Sequence, residues 1–197
     1  MLEPRAFIWW TGSDADDWTF PNPVGFIWKE LKDGRLRQGW APPGASLVEN
    51  GAKVPQREWE RRYVAGARNV WKLDASHPLL DPPKKVTTRY QILSRMLRMA
   101  KGDVIVVPRM PSRGEFTCVR VAGGYRFDDG HYESVHPDLG HVVPIDPKTL
   151  VTYGYGHSNA TRQISGTFQN YRSAISPVRK PELRRLIVEL ATESAPS

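Results

Sequence analysis

The chain has 197 residues, of which 40% are hydrophobic and 25% are charged, and its formal net charge is +7. This composition is typical of a globular protein and excludes an intrinsically disordered chain. No apolar run approaches the roughly 18 residues that a membrane-spanning helix needs. The single cysteine, Cys118, excludes an intrachain disulfide. We therefore expect a cytoplasmic protein with a core of ordinary size.

The first half of the chain alternates short apolar runs with turn-forming segments. Residues 6–10 (AFIWW) are predicted to open the central sheet as a strand, and residues 11–23 to form a polar loop. Residues 24–31 are apolar again, Asp33–Gly34 predicts a hairpin turn, and residues 37–40 (RQGW) are predicted to form the next strand. An irregular insertion is expected over residues about 41–87, with helix-forming charge only at 58–62 and three prolines within 77–85.

The second half predicts a helix, three strands and a second helix. Thr88 is the expected N-cap of a helix that runs through Ala100 and ends at Gly102, with its arginines on the polar face. Strands are predicted at 104–107, 116–121 and 141–145, an acidic and histidine-containing excursion at 128–138, and a loop at 147–162. Residues 180–190 predict a C-terminal amphipathic helix, and residues 191–197 a frayed tail.

Positive charge is concentrated in one segment. Residues 84–126 contain ten lysines and arginines against two acids, Asp103 and Glu115, so the rest of the chain is close to neutral. A concentrated positive surface beside aromatic residues is what holding a polyanion requires, and nucleic-acid binding is therefore the leading hypothesis. The candidate phosphate-binding residues are Arg89, Arg95, Arg98, Lys101, Arg109, Arg113 and Arg126.

Aromatic residues offer candidates for a base-binding pocket. The residues selected are Trp9, Trp10, Trp40 and Tyr125, with Asp103 as an acceptor for a base edge. Each aromatic residue has core packing as its alternative role. Trp9 and Trp10 are neighbours on a strand, so they cannot both be buried on the same side. Asp103 follows Gly102 at a turn, where a carboxylate more often accepts hydrogen bonds from local amides.

The sequence contains no pattern that is typical of a catalytic or metal-binding site. His131, His136 and His141 stand near acidic residues, but their spacing fits no known ligand set, so we predict no metal and no cofactor. The chain contains neither a G-x-S-x-G elbow nor a G-x-x-x-x-G-K phosphate loop. Cys118 alternates with its strand neighbours and is expected to be a core residue. We predict no catalytic residue.

The order of these motifs resembles the EVE and PUA-like superfamily over residues 5 to 150. One characteristic EVE segment resembles this chain in the order of its residues, here Arg89, Arg95, Leu97, Lys101, Gly102, Asp103 and Val106. The chain also resembles the PUA-like modules at the N-terminus of some modification-dependent restriction endonucleases. The similarity lies in the order of Trp9, Gly39–Trp40, Gly102–Asp103, Val121, Gly123, Tyr125 and His141–Val142. The chain departs from the pattern at Val143, where arginine is usual, and at Pro147, where tryptophan is usual.

The resemblance implies a small twisted β-barrel with rim helices. With the C-terminal amphipathic helix that the apolar spacing predicts, the fold class is expected to be α+β, and the chain length predicts a single domain over residues 1–190. The resemblance also implies a non-catalytic module that accepts a modified base, such as methylated or hydroxymethylated cytosine, in an aromatic pocket. DNA is favoured over RNA, in bacterial or phage defence, with any cleavage supplied by a nuclease partner or by a larger parent protein. Two alternatives stay open: a small ASCH-like RNA-processing or hydrolytic enzyme that uses Lys101, Asp103 or a histidine, and a protein-interaction module.

Overall fold

The computed structural model describes residues 3–11, 23–74, 76–77, 80, 85–129 and 139–193. The helices are α1 (Pro23–Lys32), α2 (Gln56–Trp71), α3 (Thr87–Leu93), α4 (Asn159–Gly166) and α5 (Pro181–Glu193). The strands are β1 (Ala6–Trp9), β2 (Arg35–Gln38), β3 (Val48–Glu49), β4 (Ala52–Lys53), β5 (Val104–Pro108), β6 (Glu115–Val121), β7 (Arg126–Phe127), β8 (His141–Gly154) and β9 (Ile175–Pro177). Within these ranges, no helix has both the length and the apolar composition to cross a membrane.

The main sheet has the strand order β2-β8-β6-β5-β1-β9, and β7 pairs with β8 beside this path. It is a mixed sheet because β1 and β5 are parallel, whereas β1–β9, β5–β6, β6–β8 and β7–β8 are antiparallel. The sheet is curled into a half-barrel. These elements confirm the predicted α+β class and the predicted strands β1, β5 and β6.

The chain divides into two compact units by the contacts within it. Unit 1 comprises Met1–Leu36, Met99–Gly124 and Val143–Ser197. Unit 2 comprises Arg37–Arg98 and Tyr125–Val142.

The core of unit 1 lies between the sheet and the C-terminal helix. Ala6 and Ile8 of β1 are buried in one cluster with Leu183 and Ile187 of α5. Trp9 points away from this cluster and is fully buried, while Trp10 packs on the cluster and stays partly exposed. This alternation confirms that the two tryptophans face opposite sides. The predicted C-terminal helix is confirmed as α5, and the tail at 194–197 lies outside the described residues.

The apolar segment at 24–31 forms helix α1. Pro23 occupies the first helical position, where its fixed φ favours a helix. Ile27 and Leu31 are buried one turn apart, and Lys29 pairs with Asp33 at 2.7 Å across the next turn. A helical spacing of apolar residues therefore determines this element. The predicted polar loop before it falls on residues 12–22, which lie outside the described residues.

The expected irregular insertion contains the longest helix that the structure describes. Helix α2 has 16 residues and buries Trp59, Tyr63 and Ala67, which follow each other at intervals of four. The prediction of irregular structure is wrong for this part, because the irregular neighbourhood was weighed above that repeat. The short β3–β4 hairpin precedes α2, and its turn residues Asn50 and Gly51 both have positive φ, at 50° and 78°.

The predicted helix from Thr88 to Ala100 is shorter than expected. Helix α3 begins at Thr87 and ends at Leu93, with Val86 as its N-cap and no side-chain cap. A single 3-10 turn follows at Met96–Arg98. Gly102 then adopts a φ of +94° in the turn before β5. The prediction that the helix continues to this glycine is wrong, because helical structure ends at Arg98.

The predicted loop at 147–162 is wrong for most of its length. Strand β8 continues to Gly154 through an irregularity, because the pairing with β6 jumps from Arg120↔Asp146 to Cys118↔Val151. The Thr149 hydroxyl accepts from the Arg120 amide at 2.9 Å and holds the extra residues against β6. Helix α4 begins after Ser158, whose side chain accepts from the Thr161 amide in a capping box.

Candidate nucleic-acid interface

Two of the predicted pocket residues are buried in unit 1. Trp9 is fully buried at the end of β1. Asp103 accepts from the Arg5 amide at 2.9 Å, from Arg5 Nη2 at 2.8 Å and from the Ala100 amide at 2.9 Å. These bonds occupy both carboxylate oxygens and tie the start of β1 to the start of β5. The structure therefore assigns Trp9 and Asp103 to the core and not to an accessible surface.

Two further predicted pocket residues, Trp40 and Tyr125, lie in unit 2 within one group of polar and aromatic side chains. We name this group the Trp40 cluster, and it comprises Trp40, Tyr63, Arg89, Tyr125 and His141. The guanidinium carbon of Arg89 lies 5.4 Å from the ring centre of Trp40 and 5.4 Å from that of Tyr63. Arg89 also donates a hydrogen bond to the Tyr63 hydroxyl. The cation is thus held by two aromatic rings.

Trp40 adopts a backbone conformation that bulky residues rarely take. Its φ is +65°, in the left-handed region, and its side chain is half-buried. Such a conformation costs on the order of 1–3 kcal/mol and persists only where surrounding contacts impose it. His141 Nε2 supplies one such contact, 3.2 Å from the Trp40 carbonyl oxygen.

His141 is fully buried, and burial lowers its pKa to about 3, so the imidazole is neutral near pH 7. A carbonyl oxygen only accepts, so Nε2 carries the proton and donates to Trp40. Nδ1 therefore accepts from the Tyr125 hydroxyl at 2.8 Å, and that hydroxyl accepts from the Leu47 amide at 3.2 Å. Burial also raises the pKa of Tyr125. Hydrogen-bond donation therefore runs from the Leu47 amide through Tyr125 and His141 to the Trp40 carbonyl oxygen. This direction fixes the tautomer of His141.

The segment after Trp40 is seated on helix α2. Trp59 Nε1 donates to the Ala45 carbonyl oxygen at 2.7 Å. Gly66 lies so close that a Cβ atom there would meet the Pro43 carbonyl oxygen at 2.5 Å. Tyr63 was not among the predicted site residues, and His141 was considered only as a metal ligand and as part of the motif order. The repeat of Trp59 and Tyr63 four residues apart was the available signal.

A second group, the Trp10 cluster, lies in unit 1 and comprises Trp10, Arg109, Tyr155, Phe168 and Tyr171. The guanidinium carbon of Arg109 lies 5.4 Å from the ring centre of Trp10, and Trp10 Nε1 donates to the Tyr171 carbonyl oxygen. Trp10 and Tyr155 both pack edge-on against the buried Phe168, at centroid distances of 6.1 and 5.6 Å. Tyr155, Phe168 and Tyr171 were not among the predicted site residues, and Tyr155 fell within the loop predicted at 147–162.

The remaining predicted phosphate-binding residues are distributed over both units. Arg95 is half-buried in unit 2, whereas Arg98 and Arg126 of that unit are exposed. Lys101 and Arg113 are exposed in unit 1. The structure therefore leaves four of these cations at the surface, where contact with a polyanion is sterically possible.

Cys118 and the histidines were the residues considered for nucleophilic or metal chemistry. Cys118 is fully buried, and burial raises its pKa to about 12, so the predicted core role is confirmed. Within the described ranges, no three histidine, cysteine or acidic side chains are grouped to hold a metal ion. His131 and His136 lie outside those ranges.

Comparisons with known proteins matched no family model, no curated protein and no solved structure.

Proposed function

We propose that this protein is a non-catalytic nucleic-acid-binding module that accepts a modified base, in DNA, at the Trp40 cluster. The observation that carries the proposal is the conformation of Trp40, a half-buried indole held with a φ of +65°. Strained conformations of this kind concentrate at ligand-binding sites, because the fold must hold them in place for a purpose other than stability.

The energetics of base recognition agree with this arrangement. A base that leaves its stack costs a few kcal/mol, and stacking on an aromatic side chain returns about 1–3 kcal/mol. A methyl group on the base adds about 0.8 kcal/mol when it is buried. The neutral His141 holds the Trp40 backbone without placing a charge beside the base, since its pKa is about 3.

Charge and the order of the sequence motifs support the same proposal. The chain has a net charge of +7, and exposed Arg98 and Arg126 belong to the unit that contains the Trp40 cluster. The resemblance to EVE and PUA-like domains, which pair a small twisted β-barrel with a modified-base pocket, gives independent support. An enzymatic role for Asp103 gains no support, because its carboxylate is bound by Arg5 and Ala100.

Trp40→Gly tests the proposal without adding backbone strain, because glycine adopts a φ of +65° readily. We expect the affinity for the preferred modified duplex to fall about tenfold, from the loss of about 1–3 kcal/mol of stacking. The affinity for its unmodified twin should fall less, since phosphate contacts remain. Binding is measured with plain, methylated and hydroxymethylated duplexes at two salt concentrations.

Asn50→Gly is the matched control, because Asn50 also has a positive φ, of 50°, in the same unit. Melting temperatures of both variants establish that they are folded. If folded Trp40→Gly discriminates modified from plain duplexes as the wild type does, the base does not bind at the Trp40 cluster and the proposal fails.

A further inference from the structure

The Trp10 cluster presents several aromatic rings at one edge of the sheet of unit 1. Trp10 follows β1 and Arg109 follows the parallel neighbour β5, so both lie where these strands end. Tyr155 follows the end of β8. Trp10, Tyr155 and Tyr171 pack on the core and remain partly exposed. Partly exposed aromatic rings grouped at one sheet edge are a candidate contact region.

Arg109 repeats the features that distinguish Trp40. Its φ is +59°, and its guanidinium lies over an indole ring. Burial raises the pKa of the neighbouring Tyr155, while hydrogen bonding from the Arg109 backbone and the Arg109 charge oppose that rise. The contact of Arg109 with Tyr155 therefore involves both backbone and charge. These contacts hold the guanidinium in place at the expense of a strained backbone.

Two further cations flank the rings. Arg113 is exposed on the turn between β5 and β6, one residue before Gly114, whose carbonyl oxygen accepts from the Tyr155 amide at 2.8 Å. Arg172 is exposed directly after Tyr171. Cations beside partly exposed rings are the combination that single-stranded nucleic acids require, because bases stack on the rings while cations contact phosphates.

We infer that the Trp10 cluster is a binding site for single-stranded nucleic acid, in which an unpaired base stacks at Trp10 and phosphates contact Arg109 and Arg113. The inference rests on the proposed nucleic-acid binding and adds to it a second site in the other unit. In a duplex the bases remain stacked on one another, so a duplex can make only the phosphate contacts with Arg109 and Arg113. The site therefore prefers single strands.

Two pairs of variants of the full chain test the inference with a labelled dT15 single strand and a plain duplex of the same length. Arg109→Gly removes the guanidinium and relieves the positive φ, and its control Lys72→Gly makes the same change at a φ of 54° elsewhere. Trp10→Leu keeps an apolar side chain against Phe168 but removes the stacking face. Its control is Trp28→Leu, another half-buried tryptophan with a cation, Lys32, 5.9 Å from its ring.

We expect Arg109→Gly and Trp10→Leu each to weaken dT15 binding about tenfold, with a smaller loss for the duplex and none for either control. Arg113→Ala provides a second test at an exposed position and should also weaken dT15 binding. The inference is wrong if the wild type does not bind dT15, or if folded Arg109→Gly and Trp10→Leu match their controls. Trp40→Gly should retain dT15 binding, so failure at either cluster is distinguishable from failure at the other.

Discussion

At the residue scale, His141 shows how a buried titratable side chain sets the geometry of a surface residue. The imidazole is enclosed by Tyr125, Phe127 and the Trp40 carbonyl, with the Phe127 ring centre 5.2 Å away. A charged imidazole would donate from both nitrogens and would require the Tyr125 hydroxyl to reverse its hydrogen bond. Protonation is therefore coupled to the loss of the arrangement that holds Trp40.

This coupling predicts that His141 makes the free energy of unfolding depend on pH. Its folded pKa is about 3, below the ordinary value of 6.5, so the unfolded state binds more protons between these two values. The stabilisation is complete above pH 6.5 and is lost as the pH falls towards 3. Between pH 7 and pH 5, the wild type should lose about 2 kcal/mol more unfolding free energy than His141→Gln.

Urea unfolding at the two pH values measures this difference, with His157→Gln as a variant of an exposed histidine for comparison. Equal pH dependence of the wild type and His141→Gln would contradict the assignment of a neutral buried imidazole.

At the element scale, helix α2 is the support for the segment that follows Trp40. Trp59 and Tyr63 stack at a centroid distance of 5.0 Å, and Trp59 fixes Ala45 through its indole N–H. Gly66 lets the Pro43 backbone approach the helix. Helix α2 thus supports the segment that carries the candidate base-binding residue.

Gly66→Ala should destabilise the protein although alanine is favoured over glycine in a helix by about 1 kcal/mol. The new Cβ would lie 2.5 Å from the Pro43 carbonyl oxygen, so the helix or the segment must shift. We expect the unfolding free energy to fall by about 1–3 kcal/mol, as for other overpacked sites. Thermal and urea unfolding measure the change.

Gly166→Ala is the matched control at the end of α4, where an added Cβ meets nothing within 4 Å among the described residues. It should leave stability unchanged or raise it slightly. A stabilised Gly66→Ala would show that α2 does not pack closely on the segment after Trp40.

At the scale of the whole molecule, charge determines how strongly any polyanion is held. Both units have exposed cations among the predicted phosphate-binding residues, Arg98 and Arg126 in unit 2 and Lys101 and Arg113 in unit 1. Each phosphate contact on a duplex releases counterions and adds about 0.9 to the slope of log affinity against log salt.

Changing Arg98 and Arg126 together to alanine should reduce that slope by about 1.8 and weaken binding to all duplex sequences alike. The control is the double variant Arg57→Ala and Arg68→Ala, which removes the same charge from exposed positions of α2. Titrations at four salt concentrations measure the slope. An equal loss of slope in both double variants would show that the slope depends on the net charge and not on phosphate contacts by Arg98 and Arg126.

Local pattern was sufficient to predict much of the framework. Strands β1, β5, β6 and helix α5 follow from apolar runs and periodicity whose packing partners need not be known, because burial alone selects these conformations. Helices α1 and α2 were missed although their buried residues repeat every four positions. For α1, a short apolar run does not distinguish strand from helix, and the packing of the run decides between them. For α2, the irregular neighbourhood was weighed above the repeat of its buried residues.

The sequence by itself determined the α+β class, the core role of Cys118 and the concentration of positive charge, since these depend on composition and short-range pattern. Only the tertiary structure decided which aromatic residues are accessible. Trp9 and Trp10 are neighbours in sequence, yet one is fully buried and the other lies beside Arg109. His141 meets Trp40 across 101 positions of sequence. Such contacts depend on how distant segments pack, and no local pattern contains that information.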